Sequence, residues 1–246
     1  MTEISLHGFN NLTKSLSFSL YKLHYLDDKQ DHRKYNAYIN KVFCANNLNI
    51  LLTKICHSIG GNVLNVAKQD FQPQGASVTL MISEEAQPES LVAHLDKSHL
   101  CIHTYPEEAP HDGFAIFRAD IELSTCGVIS PLKVLNYVID EFDADVVDID
   151  YRIRGMTRDK QGSKLFNDDK ITNISDHLSA KLADDFHIEN HNLPMQNLFH
   201  SKLCKKRINI DHYLFSQKKD ALTVRQQSEI KAQIEQELLQ LFTNSP

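Results

Sequence analysis

No apolar run in this sequence approaches bilayer length, which argues against a membrane-spanning helix. The opening residues, Met-Thr-Glu-Ile-Ser-Leu-His, lack the basic stretch and apolar core of a secretory signal. A cytoplasmic protein is therefore expected. Repeats, low-complexity tracts and Pro/Gly/Ser-rich linkers are also missing. The cysteines do not form an even framework: Cys44, Cys56, Cys101, Cys126 and Cys204 are five, unevenly spaced, and read as free thiols in a reducing compartment. Excess positive charge is absent too. A formal net charge of −6 argues against a nucleic-acid binder that works by neutralising phosphates, and the short basic run Lys205–Arg207 does not change that.

What is present is ordinary globular chemistry, 41% hydrophobic and 24% charged over 246 residues, enough for one large domain or two small ones. Apolar residues at helical spacing run from about Tyr35 to Ile59, through Tyr38, Ile39, Val42, Phe43, Ile50, Leu51 and Ile55, and Gly60-Gly61 ends that stretch. Short strand-like runs follow at Asn62–Ala67, Ala76–Ser83, Leu91–Leu95, His99–Thr104 and Phe114–Leu123. Ser130-Pro131 reads as a cap and first turn for a helix whose stripe is Leu132, Leu135, Val138, Ile139 and Phe142. Val146–Ile153 is a further strand. Thr223 and Gln226 have capping-box spacing, with Ile230, Ile234, Leu238 and Leu241 following on one face. Neighbouring strands interrupted by few helices indicate an α+β sheet covered on one side.

Polar chemistry is densest in His94-Leu-Asp-Lys-Ser-His-Leu-Cys-Ile-His-Thr-Tyr-Pro-Glu107 and in Ser124-Thr-Cys126-Gly. On a strand, His99, Cys101 and His103 share one face and Leu100 and Ile102 the other. Taken residue by residue, three readings stay open. One is a zinc site completed by Cys126. Another is a Cys–His hydrolase built on Cys101 or Cys126 with His103. The third is a core thiol among histidines with satisfied hydrogen bonds.

A longer pattern adds a fourth reading. Leu6-His-Gly-Phe-Asn-Asn-Leu-Thr-Lys-Ser-Leu-Ser-Phe18, Gln72-Pro-Gln-Gly-Ala-Ser-Val-Thr79, Ala93-His-Leu-Asp-Lys-Ser-His99 and Cys101-Ile-His-Thr-Tyr-Pro-Glu107 are four of its blocks. Phe117-Arg-Ala-Asp-Ile-Glu122, Ser124-Thr-Cys-Gly-Val-Ile-Ser-Pro-Leu-Lys133 and Ile149-Asp-Tyr-Arg-Ile-Arg-Gly155 are three more. Together they resemble the bacterial S-adenosylmethionine decarboxylases of the longer, magnesium-dependent type. The resemblance spans nearly the whole chain, is strongest from Asn62 to Gly155, and departs from the family in a shorter link at Glu85–Ser90.

The resemblance implies a single catalytic domain over residues 1–246, a sandwich of mainly antiparallel sheet covered by helices. It implies a self-inflicted cut between Lys97 and Ser98, giving chains 1–97 and 98–246 and turning Ser98 into a pyruvoyl group. That ketone would form a Schiff base with S-adenosylmethionine and serve as the electron sink while carbon dioxide leaves, yielding the aminopropyl donor for spermidine. His103 is implied as the processing base, Ser77 as its helper, and Cys126 as the acid that protonates the substrate carbon. Phe71 and Tyr105 are implied to flank the adenine, and Glu107 to hold the ribose hydroxyls. A homo-oligomer of chain pairs is expected, as is magnesium. Asp96, Glu108, Asp112, Asp120 and Glu122 are scattered acids that do not define a magnesium site. One mismatch of parity stands out: Ser98 and His103, five residues apart, would face opposite ways in one regular strand. The cut site must then lie outside the regular pleat or at a bulge.

Overall fold

Period-two alternation builds the sheet. In β2 (Thr13–Tyr25), Leu16, Phe18 and Leu20 are buried while Ser15, Ser17 and Ser19 turn to the opposite face. The computed structural model describes residues 6–26, 29–84, 98–107, 113–127, 129–167 and 171–245.

In chain order, β1 (Leu6–Asn10) and β2 are followed by helices α1 (Lys29–Val42) and α2 (Ala45–Ser58). Next come β3 (Asn62–Asp70), β4 (Ala76–Ser83), β5 (His99–Pro106) and β6 (Phe114–Cys126), then α3 (Leu135–Glu141) and β7 (Val146–Arg154). Two short strands, β8 (Thr157–Asp159) and β9 (Lys164–Leu165), precede α4 (Ala180–Asp185), β10 (Phe186–Asn190), β11 (Leu198–Lys205) and α5 (Val224–Thr243). Eight strands form one sheet in the order β10-β11-β7-β2-β6-β5-β4-β3, every neighbouring pair antiparallel. The remaining three make a small sheet, β1-β8-β9.

The main core lies on one face of the large sheet. Tyr35 and Ile39 of α1, Leu48, Leu52 and Ile55 of α2, and Leu135, Val138 and Ile139 of α3 pack there against Val78, Leu80, Leu100, Ile102, Ile121 and Ile149. A smaller cluster covers one end of the opposite face, where Ile230, Ile234, Leu238 and Phe242 of α5 meet Leu23, Phe114 and Val146. The rest of that second face is polar. This is the α+β, largely antiparallel arrangement that the pattern of runs predicts, but its cover is not one-sided, because α5 packs on the second face.

Three local expectations need correcting. The helical stretch from Tyr35 to Ile59 is two helices, parted at Phe43-Cys44: Asp70 accepts the Ala45 N–H at 2.7 Å, and the Asn47 amide donates to the carbonyls of Lys41 and Val42. Ser130 makes no side-chain cap, and Pro131–Val134 is a 3-10 turn leading into α3. In α5 the capping box of Thr223 and Gln226 forms, but Phe242 rather than Leu241 completes the buried stripe. The run Leu91–Leu95 lies outside the described residues. No described helix is long and apolar enough to cross a membrane.

Candidate active site

β5 carries the polar run. Leu100, Ile102 and Thr104 are buried toward the helices, whereas His99, Cys101, His103 and Tyr105 stand on the polar face, as their alternation predicts. Register fixes their neighbours across the sheet: His103 lies between Ser77 of β4 and Asp120 of β6, Cys101 between Thr79 and Glu122, and Tyr105 beside Arg118.

Ser98 sits just before β5. It is only 5% exposed, its carbonyl accepts the Ile82 N–H at 3.3 Å, and its hydroxyl lies 3.3 Å from the Cys126 sulfur. Cys126 ends β6 on the same alternation as Ser124, Glu122 and Asp120, the polar-face residues opposite β5. The side chain of residue 98 therefore reaches that face although its parity points the other way, because it stands outside the pleated strand. The neighbouring hydroxyls of Ser15 and Ser124 are also 3.3 Å apart.

The other predicted residues are more spread out. His103 is five residues further along β5, roughly 16 Å from Ser98 at the rise of a strand. Tyr105 is 47% exposed, with the Arg118 guanidinium carbon 4.3 Å from its ring centre and the His103 ring 6.5 Å away at 25°. Arg118 in turn pairs with Asp120 at 3.3 Å. Glu107 follows β5, and one of its carboxylate oxygens accepts the Ile116 N–H at 3.0 Å. Phe71 occupies the turn between β3 and β4, lining a cavity of about 170 Å³ with Ile39, Asn40 and Phe43. The ring partners of Tyr105 are thus His103 and Arg118, and Phe71 faces residues of α1 instead. Lys97 lies outside the described residues.

The two thiols differ. Burial, followed by the nearby Glu122 carboxylate, pushes the Cys101 thiol above its ordinary range, which disfavours it as a nucleophile. Cys126 instead touches the Ser98 hydroxyl. One contributor went unrecognised in the sequence: Glu84, just past β4, accepts the Ile129 N–H at 3.2 Å beside Gly127. A single acid after a strand carries no signal of its own.

The magnesium expectation finds no fit. Among the described residues no group of three His, Cys, Asp or Glu side chains is placed to hold a metal ion. Asp120 is engaged by Arg118, and Glu122 faces His99 at 3.9 Å. Asp96, Glu108 and Asp112 lie outside the described residues, so no step is assigned to the ion.

Comparison with known proteins gives the following. The family model described as S-adenosylmethionine decarboxylase matches residues 34–155. The S-adenosylmethionine decarboxylase proenzyme of Pseudomonas syringae pv. tomato is 46% identical over 255 residues, covering 98% of this chain and 97% of its own. That of Salmonella arizonae is 45% identical over 256 residues with the same coverage. The crystal structure of the adenosylmethionine decarboxylase from Aquifex aeolicus superposes with a TM-score of 0.40 at 18% identity, over 60% of this chain and 93% of that one. That last likeness is too loose to build on.

Proposed function

The chain belongs to the S-adenosylmethionine decarboxylase family, and from that premise we propose that it removes the carboxylate of S-adenosylmethionine as carbon dioxide, after cutting its own backbone before Ser98. The observation that carries this reading is the buried Ser98 hydroxyl held 3.3 Å from the Cys126 thiol at the adjoining ends of two strands. A serine so placed, outside the pleat and screened from water, is suited to attack the carbonyl of Lys97. The amide becomes an ester as the chain shifts from nitrogen to oxygen. Loss of the Ser98 α-proton then expels residues 1–97 as a carboxylate, and water releases ammonia to leave a pyruvoyl terminus.

When formed, the pyruvoyl group supplies an electron sink that lets carbon dioxide leave the substrate's α-carbon. The protein's own task is to deliver one proton to that carbon. Cys126, within hydrogen-bond reach of residue 98, is placed to donate it. Tyr105 offers an exposed ring backed by Arg118 for the adenine, and Glu107 a carboxylate for the ribose hydroxyls. Phe71 lines a cavity beside Ile39 and Asn40 of α1. The product would be the aminopropyl donor for spermidine, made in the cytoplasm, where the thiols stay reduced.

The position of His103 bears on assembly. Roughly 16 Å along β5 separates it from Ser98, too far to take the Ser98 α-proton within one copy. Ser77 shares its row. Among the described residues no helix covers the polar face at this end of the sheet, so a second copy can bring its own His103 and Ser77 to the cut site.

Two experiments test the reading. Intact-mass analysis with a carbonyl-trapping reagent should find two chains meeting between Lys97 and Ser98, the longer one blocked by a ketone; an uncut chain at neutral pH would remove the basis of the assignment. Co-expressing His103→Ala with Ser98→Ala, each uncut alone, should yield cleavage of the His103→Ala chain. Absence of any cut there would mean that His103 does not act between copies.

A further inference from the structure

Glu84 stands at the junction of the two reactive residues. Two positions before it, the Ile82 N–H donates to the Ser98 carbonyl at 3.3 Å. Its own carboxylate crosses to the far side of Cys126, where Oε1 accepts the Ile129 N–H at 3.2 Å. Gly127, between them at φ +74°, comes close to the carboxylate: an added Cβ would lie 2.7 Å from that same oxygen. The Glu84 backbone is tied in turn, because its carbonyl accepts from the Asn62 side-chain amide at 3.3 Å. Further ties hold the stretch after Cys126: the Gly127 N–H donates to Leu12, and the Thr125 hydroxyl to Ile129. Leu12 reaches it from just before β2 and Thr125 from β6. Among the described residues, Glu84 links it to the strand end that also holds residue 98.

We propose that Glu84 is a positioning residue that keeps the Cys126 thiol aimed at the group on residue 98. The proposal rests on Cys126 as proton donor. A thiol that drifts delivers its proton to the wrong carbon. If the proton goes to the residue-98 group instead of the substrate carbon, water then frees the substrate remnant as an aldehyde, its nitrogen stays behind, and the long chain ends in alanine.

The test compares Glu84→Ala, Glu84→Asp and Glu84→Gln in the full-length, self-cut enzyme. The amide oxygen of Gln can still accept the Ile129 N–H, whereas Asp keeps the charge but retracts it. Expected are a kcat about tenfold lower for Ala and Asp with KM within about twofold, and an excess of alanine-ended long chains by intact mass. Glu84→Gln should match the parent. In the uncut Ser98→Ala chain, iodoacetamide should modify Cys126 several-fold faster when Glu84 is Ala, and at the parent rate when it is Gln. Equal damage from Gln and Ala, or an Ala variant with parental turnover and no excess alanine, overturns the proposal. Should Glu84→Ala not fold, the contrast between Asp and Gln decides it. Cys126→Ser is run alongside: if it turns over normally the donor assignment is what fails, and the alkylation contrast still reads the hold of Glu84.

Discussion

The thiols of Cys101 and Cys126 lie on the polar face near Ser98, and of these two only Cys126 touches it. Cys126→Ser should therefore still cut but lose about a hundredfold or more in decarboxylation, the scale of a lost proton donor. Cys101→Ala, whose thiol is held protonated by burial and by Glu122, should stay within about twofold. Steady-state assays of the two variants separate the roles; a normal Cys126→Ser enzyme would sink the assignment. The contact itself was not legible. Ser98 and Cys126 were each picked out by the family pattern, but the 3.3 Å between them follows from the register that sets His99 against Ser124, and no local signal encodes register. A different residue sets an acid limit. Burial against Tyr35 and Phe215, then the Lys22 charge, lowers the His24 pKa from 6.5 to about 4. The unfolded chain then binds more protons than the folded one as pH falls below 6.5. The stabilisation is whole above that pH and is lost toward pH 4, on the order of 3 kcal/mol in all. Urea titrations from pH 7 to 4 should show this slope, and His24→Phe should flatten it.

Among the elements, the helices show where pattern reading stops. Apolar spacing carries on through Phe43-Cys44, with no glycine or proline to mark a break, so α1 and α2 read as one. The break is made from outside, by Asp70 at the end of β3 capping the Ala45 N–H. A residue 25 positions away leaves no trace in a local window. Asp70→Ala should cost about 1 kcal/mol of stability by chemical denaturation; no change would mean that water caps α2 equally well. The capping box at Thr223 and Gln226 was legible because both partners lie within four residues. β2 is the opposite case: Ser-Leu-Ser-Phe-Ser-Leu alternates plainly at period two, yet its central place in the sheet comes from pairing with β6 and β7, 89 or more residues on.

At the scale of the whole molecule, the class of fold was readable from the succession of runs, whereas strand order and the packing of α5 on the second face were not. That order has a consequence for the enzyme's life after the proposed cut. β1 to β4 belong to residues 1–97 and β5 to β11 to residues 98–246, and β2 sits between β6 and β7 with seams on both sides. Breaking the peptide bond changes the molecularity of refolding. The uncut chain can find β2 again within itself, at a rate independent of dilution. The cut protein must recapture a separate strand by collision and slot it into the middle of a sheet, so its recovery after denaturation should fall as the protein is diluted. Ser98→Ala, which stays whole, should recover more fully at every concentration, and equal recovery of the two would show that the partners never separate in denaturant. Each molecule would then get one unimolecular chance to fold, spent before it acquires its catalytic group.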